Sequence, residues 1–177
     1  MIIKGSNIDS IYLNLCKQLL KTNPLNSGTR EITNCLLELS HVTDDNNILS
    51  IRNISKKYLL AELEWYFAGR NDVAFIGAFA NTWNNITDDG ITNNSAYGYL
   101  IKHAHGFDQL EKVIELLTKD PESRRAVINL NIPNERVIET KDEPCTISIQ
   151  FLIRNNKLCC TVNMRSNDIW FGLPYDV

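Results

Sequence analysis

Residues 146–164 read TISIQFLIRNNKLCCTVNM, and this stretch gives the strongest indication of the fold. Its first half alternates as a strand does when one side is buried, because four large apolar residues share a face: Ile147, Ile149, Phe151 and Ile153. Residues 154–157 (RNNK) predict a hairpin turn, since asparagine tolerates positive φ. Residues 158–164 supply the returning strand, so the stretch predicts an antiparallel β-hairpin.

The N-terminal region has the period of an α-helix. Apolar residues recur at the spacing of one helical face: Ile8, Ile11, Tyr12, Leu15, Cys16 and Leu19. Ser6 and Asp9 resemble a capping box, in which each side chain binds a backbone N–H at the helix start. A helix is therefore predicted near the beginning of the chain.

Two more helices and a short strand are predicted before the hairpin. The second helix spans about residues 55–68 and ends at Gly69, with a buried side made of Leu59, Leu63, Tyr66 and Phe67. The third begins at Asp108, where Glu111 completes a capping box, and buries Leu110, Val113, Ile114 and Leu117. Residues 126–130 indicate a strand, and the polar residues 131–143 an excursion between strands. The chain is therefore predicted to be one α+β domain, 1–177, with helices before a largely antiparallel sheet.

Composition limits the classes of protein to which the chain can belong. It has 177 residues, of which 44% are hydrophobic and 22% charged, as in soluble globular domains. A net charge of −3 argues against a grip on polymeric nucleic acid, and no apolar run is long enough to span a membrane. Five cysteines without a C-x-x-C pair predict free thiols in a reducing cytoplasm, that of a host cell if the gene is viral. No metal is expected, because no cysteine pair has zinc-finger spacing.

Two segments flank the hairpin with residues suited to chemistry. Cys145 follows Pro144 at the start of the first strand, where a ligand can reach the thiol, and nearby positive charge would favour the reactive thiolate. The alternative is a small buried hydrophobe. Arg165 and Ser166 follow the second strand, and a guanidinium beside a hydroxyl suits a phosphate. Here the alternative is a surface ion pair between Arg165 and Asp168.

Three other segments carry weaker indications. Arg124 and Arg125 enter the strand at 126–130 and could hold an anion and an acid, or could lie in a solvated turn. Glu62 borders the apolar side of the second helix, where burial could raise its pKa and let it pass protons; otherwise it is a surface glutamate. Trp83 and Tyr97 could be the walls of a pocket or part of ordinary core packing.

Taken together and in this order, these segments resemble the thymidylate synthase family, most closely its phage dCMP hydroxymethylase branch. The resemblance covers about residues 30–177 and is strongest over 123–125 and 144–176. It implies a thymidylate synthase-like fold, in which helices pack on a largely antiparallel, mixed sheet that pairs back to back in a homodimer. It also implies that Cys145 is the nucleophile that adds to C6 of a pyrimidine, and that Glu62 relays protons.

The resemblance also implies the ligands and the residues that bind them. The substrate is dCMP or dUMP, and its expected binding residues are Arg165, Ser166, Asp168, Gly172, Asp176 and Tyr97. Arg124 and Arg125 are expected to reach the phosphate in the partner subunit of the dimer. The co-substrate is 5,10-methylenetetrahydrofolate, which is expected to lie near Trp83 and Asp168.

Two residues favour cytosine over uracil. Asp176 takes the position at which thymidylate synthases usually carry asparagine, and a carboxylate accepts a hydrogen bond from the N4 amino group of cytosine. Thr146 follows the nucleophile, where thymidylate synthases typically have histidine. The favoured activity is therefore dCMP hydroxymethylation, with methylation of dUMP to dTMP as the alternative.

A non-enzymatic alternative follows from the position of the last residue. The chain ends at Val177, before the part of the family that contributes His and Tyr contacts to the sugar and a segment that closes over the folate. Closure of such a segment completes a site and excludes water. The alternative is therefore a fragment or an inactive nucleotide-binding remnant.

Overall fold

A computed structural model describes residues 1–40, 42, 49–132 and 137–176. The polar excursion predicted at 131–143 therefore lies partly outside the described residues. The chain forms two compact units, one made of Met1–Ser55 with Asn167–Val177 and the other of Lys56–Ser166. The elements in chain order are β1 (Ile2–Gly5), α1 (Ile8–Leu19), β2 (Leu36–Leu39), α2 (Lys56–Phe67), α3 (Val73–Ile76), α4 (Thr82–Ile86), α5 (Tyr97–Lys102), α6 (Gln109–Lys119), β3 (Val127–Asn129), β4 (Thr146–Arg154), β5 (Lys157–Met164) and α7 (Leu173–Asp176).

The first unit is built around α1. Strands β1 and β2 pair in parallel, and their four-residue length explains why no sequence pattern predicted them. The predicted stripe of α1 is confirmed at its N-terminal half, where it enters the core of this unit with Ile3, Ile8, Ile11, Tyr12, Leu49 and Leu173. Leu173, the first residue of α7, thus belongs to the same core as the N-terminal helix.

The capping box predicted for α1 is wrong. Asn7 is the N-cap, and its side chain accepts a hydrogen bond from the Ser10 N–H at 2.8 Å. Asp9 instead accepts from the backbone N–H of Ser50 at 2.8 Å and from the Ser50 hydroxyl. A tertiary contact therefore takes the acidic side chain that the local pattern had assigned to the helix start.

The second unit contains the predicted hairpin, which is confirmed. Strands β3, β4 and β5 form an antiparallel sheet in that order, and Arg154 pairs with Lys157 across the turn. Asn155 and Asn156 both have positive φ, at 51° and 58°, as a two-residue turn of this kind requires. The ladder shifts register between Thr146 and Ser148, at the end of β4 that carries Cys145.

The buried face of β4 packs against one hydrophobic core of this unit. Ile149, Phe151 and Ile153 pack against a cluster from α5, α6 and the β3 region: Leu100, Val113, Leu117, Ala126, Ile128 and Leu130. The cap predicted for α6 is confirmed, because Asp108 accepts hydrogen bonds from the N–H groups of Leu110 and Glu111. The strand predicted at 126–130 is present as β3.

The predicted buried face of α2 is wrong at two of its four positions, although Tyr66 does pack against the core around Trp65. Leu63 and Phe67 are 42% and 71% exposed, whereas the buried residues are Ala61, Glu62 and Trp65. The helix turns this face inward because Trp65 packs edge-on against Trp83, with ring centroids 5.1 Å apart. Its predicted end is confirmed, since Gly69 follows with φ of 64°.

Among residues 1–40, 42, 49–132 and 137–176, no helix is both long enough and apolar enough to cross a membrane.

Candidate active site

The β4–β5 hairpin brings Cys145 and Arg165 together at its open end. Cys145 lies just before β4 and Arg165 just after β5, and the backbone N–H of Arg165 donates to the Cys145 carbonyl at 2.9 Å. Cys145 is half-buried, and Ser166 follows Arg165 as an exposed residue. The two segments that the sequence singled out on either side of the hairpin are therefore neighbours in the structure.

The guanidinium of Arg165 is held against the backbone that leads to Cys145. Its Nε donates to the Pro144 carbonyl at 3.0 Å, and Nη2 donates to the Glu143 carbonyl at 2.7 Å. A guanidinium has five N–H donors, so these two bonds leave three for another acceptor. The arrangement fixes a positive charge beside the segment that leads to Cys145 and keeps donors available for an anion.

Glu62 lies at the centre of a hydrogen-bond network inside the second unit. The residue is only 8% exposed, and its carboxylate oxygen Oε1 accepts from the hydroxyls of Tyr58 at 2.5 Å and Tyr66 at 3.2 Å. The indole N–H of Trp83 donates to the Tyr58 hydroxyl at 3.0 Å. Trp83, Tyr58 and Glu62 therefore form a continuous path for hydrogen bonding.

Tyr97 connects this network to strand β4, which directly follows Cys145. Its ring lies 5.8 Å from that of Tyr66, centroid to centroid, and its hydroxyl accepts from the Thr146 N–H at 3.2 Å. Thr146 is buried and directly follows Cys145. Tyr97 thus contacts both the aromatic surroundings of Glu62 and the backbone next to the thiol.

The other predicted site residues of the C-terminal segment belong to the first unit. Asp168 accepts at Oδ1 from the N–H groups of Trp170 and Phe171, at 2.8 and 2.6 Å. These bonds fix the turn and leave Oδ2 without a hydrogen-bond partner among the described residues. Gly172 is tightly enclosed, because an added Cβ would lie 3.1 Å from the Asp168 carbonyl oxygen and 3.2 Å from a carboxylate oxygen of Asp176.

The carboxyl group of Asp176 has a raised pKa. The residue keeps exposed surface, yet the atoms around the carboxyl group bury it enough to raise its pKa to about 6. A hydrogen bond from Asn167 Nδ2 to Asp176 Oδ2, at 2.9 Å, acts in the opposite direction and lowers the pKa. Asp176 can therefore change its protonation state near neutral pH.

Arg124 and Arg125 lie at the surface next to β3. Both are exposed, and Arg125 makes a loose ion pair with Asp120, with Nη2 and Oδ2 3.9 Å apart. Such a pair contributes little energy. The Arg124 carbonyl accepts from the Gln150 side chain at 3.2 Å, which ties the backbone to β4 and leaves the guanidinium outside the sheet. Both guanidinium groups are thus accessible to an anion.

Several residues of the network were not predicted to belong to the site. Tyr58 and Tyr66 stand four residues before and after Glu62, so helical spacing alone could have placed them on its face. Asn167 gave no signal, because its contact with Asp176 depends on the turn between them. In the part of the chain that the structure describes, no three His, Cys, Asp or Glu side chains are arranged to hold a metal ion.

Comparison with known proteins gives the family. The thymidylate synthase family model matches residues 10–177. The deoxyuridylate hydroxymethyltransferase of Bacillus phage SP01 is 31% identical over 95% of this chain and 48% of its own length. The deoxycytidylate 5-hydroxymethyltransferase of Enterobacteria phage T4 is 30% identical over 99% of this chain and 73% of its own. The chain thus spans about half the length of the SP01 relative and about three quarters of the T4 relative.

Solved structures show the same fold. The thermostable thymidylate synthase A from Bacillus subtilis superimposes with a TM-score of 0.69 over 96% of this chain and 68% of that chain. The thymidylate synthase from T4 phage does so with a TM-score of 0.64 over 93% of this chain and 64% of that chain. At 22% identity these likenesses concern the fold, and they confirm the predicted thymidylate synthase-like α+β architecture. With its matching sequence and fold, the chain belongs to the thymidylate synthase family.

Proposed function

We propose that the chain transfers a one-carbon unit to C5 of a pyrimidine deoxynucleoside monophosphate, with dCMP hydroxymethylation as the favoured reaction. The junction of Cys145 and Arg165 at the end of the hairpin is the observation that carries the proposal. It combines a half-buried thiol with a fixed cation, which favours the thiolate needed for attack. The similarity to phage hydroxymethyltransferases supports the same reaction class.

Cys145 supplies the nucleophile. Its thiolate forms a bond to C6 of the pyrimidine, and the electron pair of the C5–C6 double bond makes C5 nucleophilic. Arg165 holds the phosphate through the guanidinium donors not used by Pro144 and Glu143, and Ser166 adds its hydroxyl. Tyr97 fixes the backbone after the thiol through Thr146 and adds a hydroxyl next to the nucleotide.

Glu62 moves protons to and from the ring. A carboxylate that accepts from two tyrosine hydroxyls can pass a proton along them or order a water molecule. Trp83 extends the path by donating to Tyr58. Because Glu62 is buried, its orientation is set by these partners and not by solvent.

The chain's residues suit the co-substrate methylenetetrahydrofolate, which supplies the one-carbon unit when bound. The indole N–H of Trp83 is already bonded to Tyr58, so the ring is held in place and presents an apolar surface to a flat heterocycle. Asp168 keeps Oδ2 for an N–H donor, while Oδ1 holds the turn. Gly172 completes that turn in a space with little room for a side chain.

Asp176 selects the base. As a carboxylate it accepts from the N4 amino group of cytosine and repels the O4 atom of uracil, which has only lone pairs to offer. Asn167 fixes one oxygen and so directs the other to the ligand. This difference supports dCMP as the substrate.

Hydroxymethylation of dUMP is the second candidate. The SP01 relative, which bears the name deoxyuridylate hydroxymethyltransferase, favours it. A carboxyl with a pKa of about 6 also supports it, because in its protonated form Asp176 can donate a hydrogen bond from Oδ1 to O4 of uracil. Methylation of dUMP to dTMP would use the same nucleophile and the same contacts to the base. An inactive chain would retain only the contacts that bind the nucleotide and would not turn it over.

The active form is proposed to be a homodimer in a reducing cytoplasm. The exposed guanidinium groups of Arg124 and Arg125 then bind the phosphate of the partner subunit. The five cysteines are free thiols, which suits a reducing compartment.

The test is tritium release from C5-labelled dCMP and dUMP, each with methylenetetrahydrofolate, by the chain and its Cys145→Ser variant. Release from dCMP that disappears in the variant supports the proposal. Faster release from dUMP moves the substrate to the second candidate. A folded chain that binds nucleotide but releases no tritium from either overturns the enzymatic proposal.

A further inference from the structure

A short loop fastens the backbone on both sides of Cys145. Upstream of the thiol, Asn94 Nδ2 donates to the Thr140 hydroxyl at 3.1 Å. Nearer to it, the Ser95 N–H donates to Asp142 Oδ2 at 2.9 Å, and the Ser95 hydroxyl donates to Oδ1. Downstream, the bond from Thr146 to Tyr97 provides a third point. We call these three attachments, made by Asn94, Ser95 and Tyr97, the 94–97 clamp.

The middle attachment is buried. Asp142 is 4% exposed and Ser95 is 8% exposed, so their hydrogen bonds do not compete with bulk water. A buried carboxyl group without partners is costly, and Ser95 supplies two donors to Asp142. The pair therefore gives the segment three residues before Cys145 one preferred position.

The same segment also positions Arg165. Its guanidinium binds the carbonyls of Glu143 and Pro144, which lie between Asp142 and Cys145. A shift of this segment would therefore displace both the thiol and the groups that orient the cation. The position of residues 142–145 should therefore affect the reaction rate, because a small displacement of a nucleophile lowers the rate of attack steeply.

We propose that Asp142 and Ser95 are positioning residues for Cys145, a role that rests on the proposed function. In the proposed site they touch neither the base nor the phosphate. They act by holding residues 142–146 so that the thiol is presented beside Arg165. Asp142 and Ser95 position Cys145 through the geometry of their hydrogen bonds and not through the charge of Asp142. An isosteric amide at position 142 therefore preserves the position of the thiol.

The experiment compares Asp142→Ala, Asp142→Asn and Ser95→Ala with the parent chain. Hydrogen exchange, followed by mass spectrometry of peptides covering 140–147, measures how firmly the clamp holds this segment. The kcat and KM for tritium release measure how well the thiol is positioned for reaction. In Asp142→Ala, exchange in this segment accelerates about tenfold or more. Its kcat falls by about tenfold to a hundredfold, with KM for nucleotide close to that of the parent. Asp142→Asn retains most of kcat, since its amide can accept from the Ser95 N–H and donate to the hydroxyl.

Asp9→Ala is the matched control. Asp9 accepts from the N–H and hydroxyl of Ser50 in the first unit, which is the same pair of bonds at a place remote in sequence from Cys145. This variant should lose thermal stability without changing exchange at 140–147 or kcat. If Asp142→Ala does not fold, Ser95→Ala decides, because it removes one bond and leaves the backbone donor.

Two results would overturn the clamp. One is parent-like exchange at 140–147 in Asp142→Ala, or in Ser95→Ala if the first variant is unfolded. The other is a kcat that falls no further than in Asp9→Ala. If the parent itself shows no turnover, the proposed function fails for this chain, and the exchange rates alone decide whether the clamp exists.

Discussion

Asn167 donates a hydrogen bond from Nδ2 to Oδ2 of Asp176 at 2.9 Å. The two residues are nine positions apart, and Gly172 lies close to both side chains. With Oδ2 engaged, Oδ1 is the oxygen left to meet a base. We therefore expect Asn167 to determine which atom of residue 176 a nucleotide would encounter, and base preference to depend on this pair.

Replacing Asp176 by asparagine should reverse that preference. Asn167 requires an acceptor at Oδ2, so the new amide is held with its NH₂ group toward the base, where it donates to O4 of uracil. We expect Asp176→Asn to shift the ratio of dCMP to dUMP affinities by about tenfold or more toward dUMP. Calorimetric titration with each nucleotide measures the ratio.

Glu115→Gln is the control for this substitution, because it also removes one negative charge, on the exposed surface of α6. It should leave the ratio unchanged. The double variant Asn167→Ala with Asp176→Asn should discriminate less between dUMP and dCMP than Asp176→Asn alone, since the amide at position 176 is then free to rotate by 180°. Equal ratios in the single and double variants would rule out the orienting role of Asn167.

The preference for dCMP should grow with pH. Burial raises the pKa of Asp176 to about 6, so the carboxyl group is mostly protonated below that value and mostly ionised above it. Protonated, it can satisfy either base; ionised, it accepts from N4 of cytosine but faces O4 of uracil unfavourably. Above the pKa, dUMP affinity should fall about tenfold per pH unit while dCMP affinity changes little. Parallel pH profiles for the two nucleotides would show that ionisation of Asp176 does not select the base.

Removing the Tyr58 hydroxyl should impair proton transfer more than binding. In Tyr58→Phe, Glu62 loses its 2.5 Å bond and Trp83 loses the acceptor of its indole N–H. We expect kcat for tritium release to fall by about tenfold or more with little change in KM for nucleotide. Tyr12→Phe, which removes a hydroxyl that accepts from Arg52 in the first unit, is the control. A kcat equal to that of the control would show that Tyr58 has no part in the relay.

The hairpin turn should depend on the positive φ of Asn155. Alanine at this position adopts φ near 51° only at a cost, so Asn155→Ala should lower the free energy of unfolding by about 1 kcal/mol. Glycine has no such cost, so Asn155→Gly should be close to the parent. Urea unfolding monitored by circular dichroism measures both. Equal losses in the two variants would mean that the asparagine side chain, and not the turn conformation, matters.

Local patterns predicted the parts of the fold that local physics determines. The hairpin at 146–164, its Asn155–Asn156 turn, the Asp108 cap and the Gly69 helix end all rest on alternation, φ preferences and nearby hydrogen bonds. The hairpin also placed Cys145 beside Arg165, because both residues flank its open end.

Local sequence patterns could not predict contacts between residues that are distant in sequence. The buried side of α2 was predicted from Leu59, Leu63, Tyr66 and Phe67, but packing of Trp65 against Trp83 decides which side faces inward. In the same way, Ser50 takes Asp9 from its predicted capping role, and Ser95 meets Asp142 across 47 residues. The positions of Glu62 and Arg165 could be anticipated, whereas the network that orients them needed the structure.

The most direct measurement is the mass of the nucleotide formed when the chain is incubated with dCMP and methylenetetrahydrofolate. We expect a product heavier than dCMP by one CH₂O unit, formed by the parent chain and by Asp9→Ala, and absent with Cys145→Ser. Addition of a CH₂ unit instead would identify a methylated product and contradict hydroxymethylation. Unchanged dCMP in a folded chain that binds the nucleotide would show that Cys145 does not drive one-carbon transfer to this base.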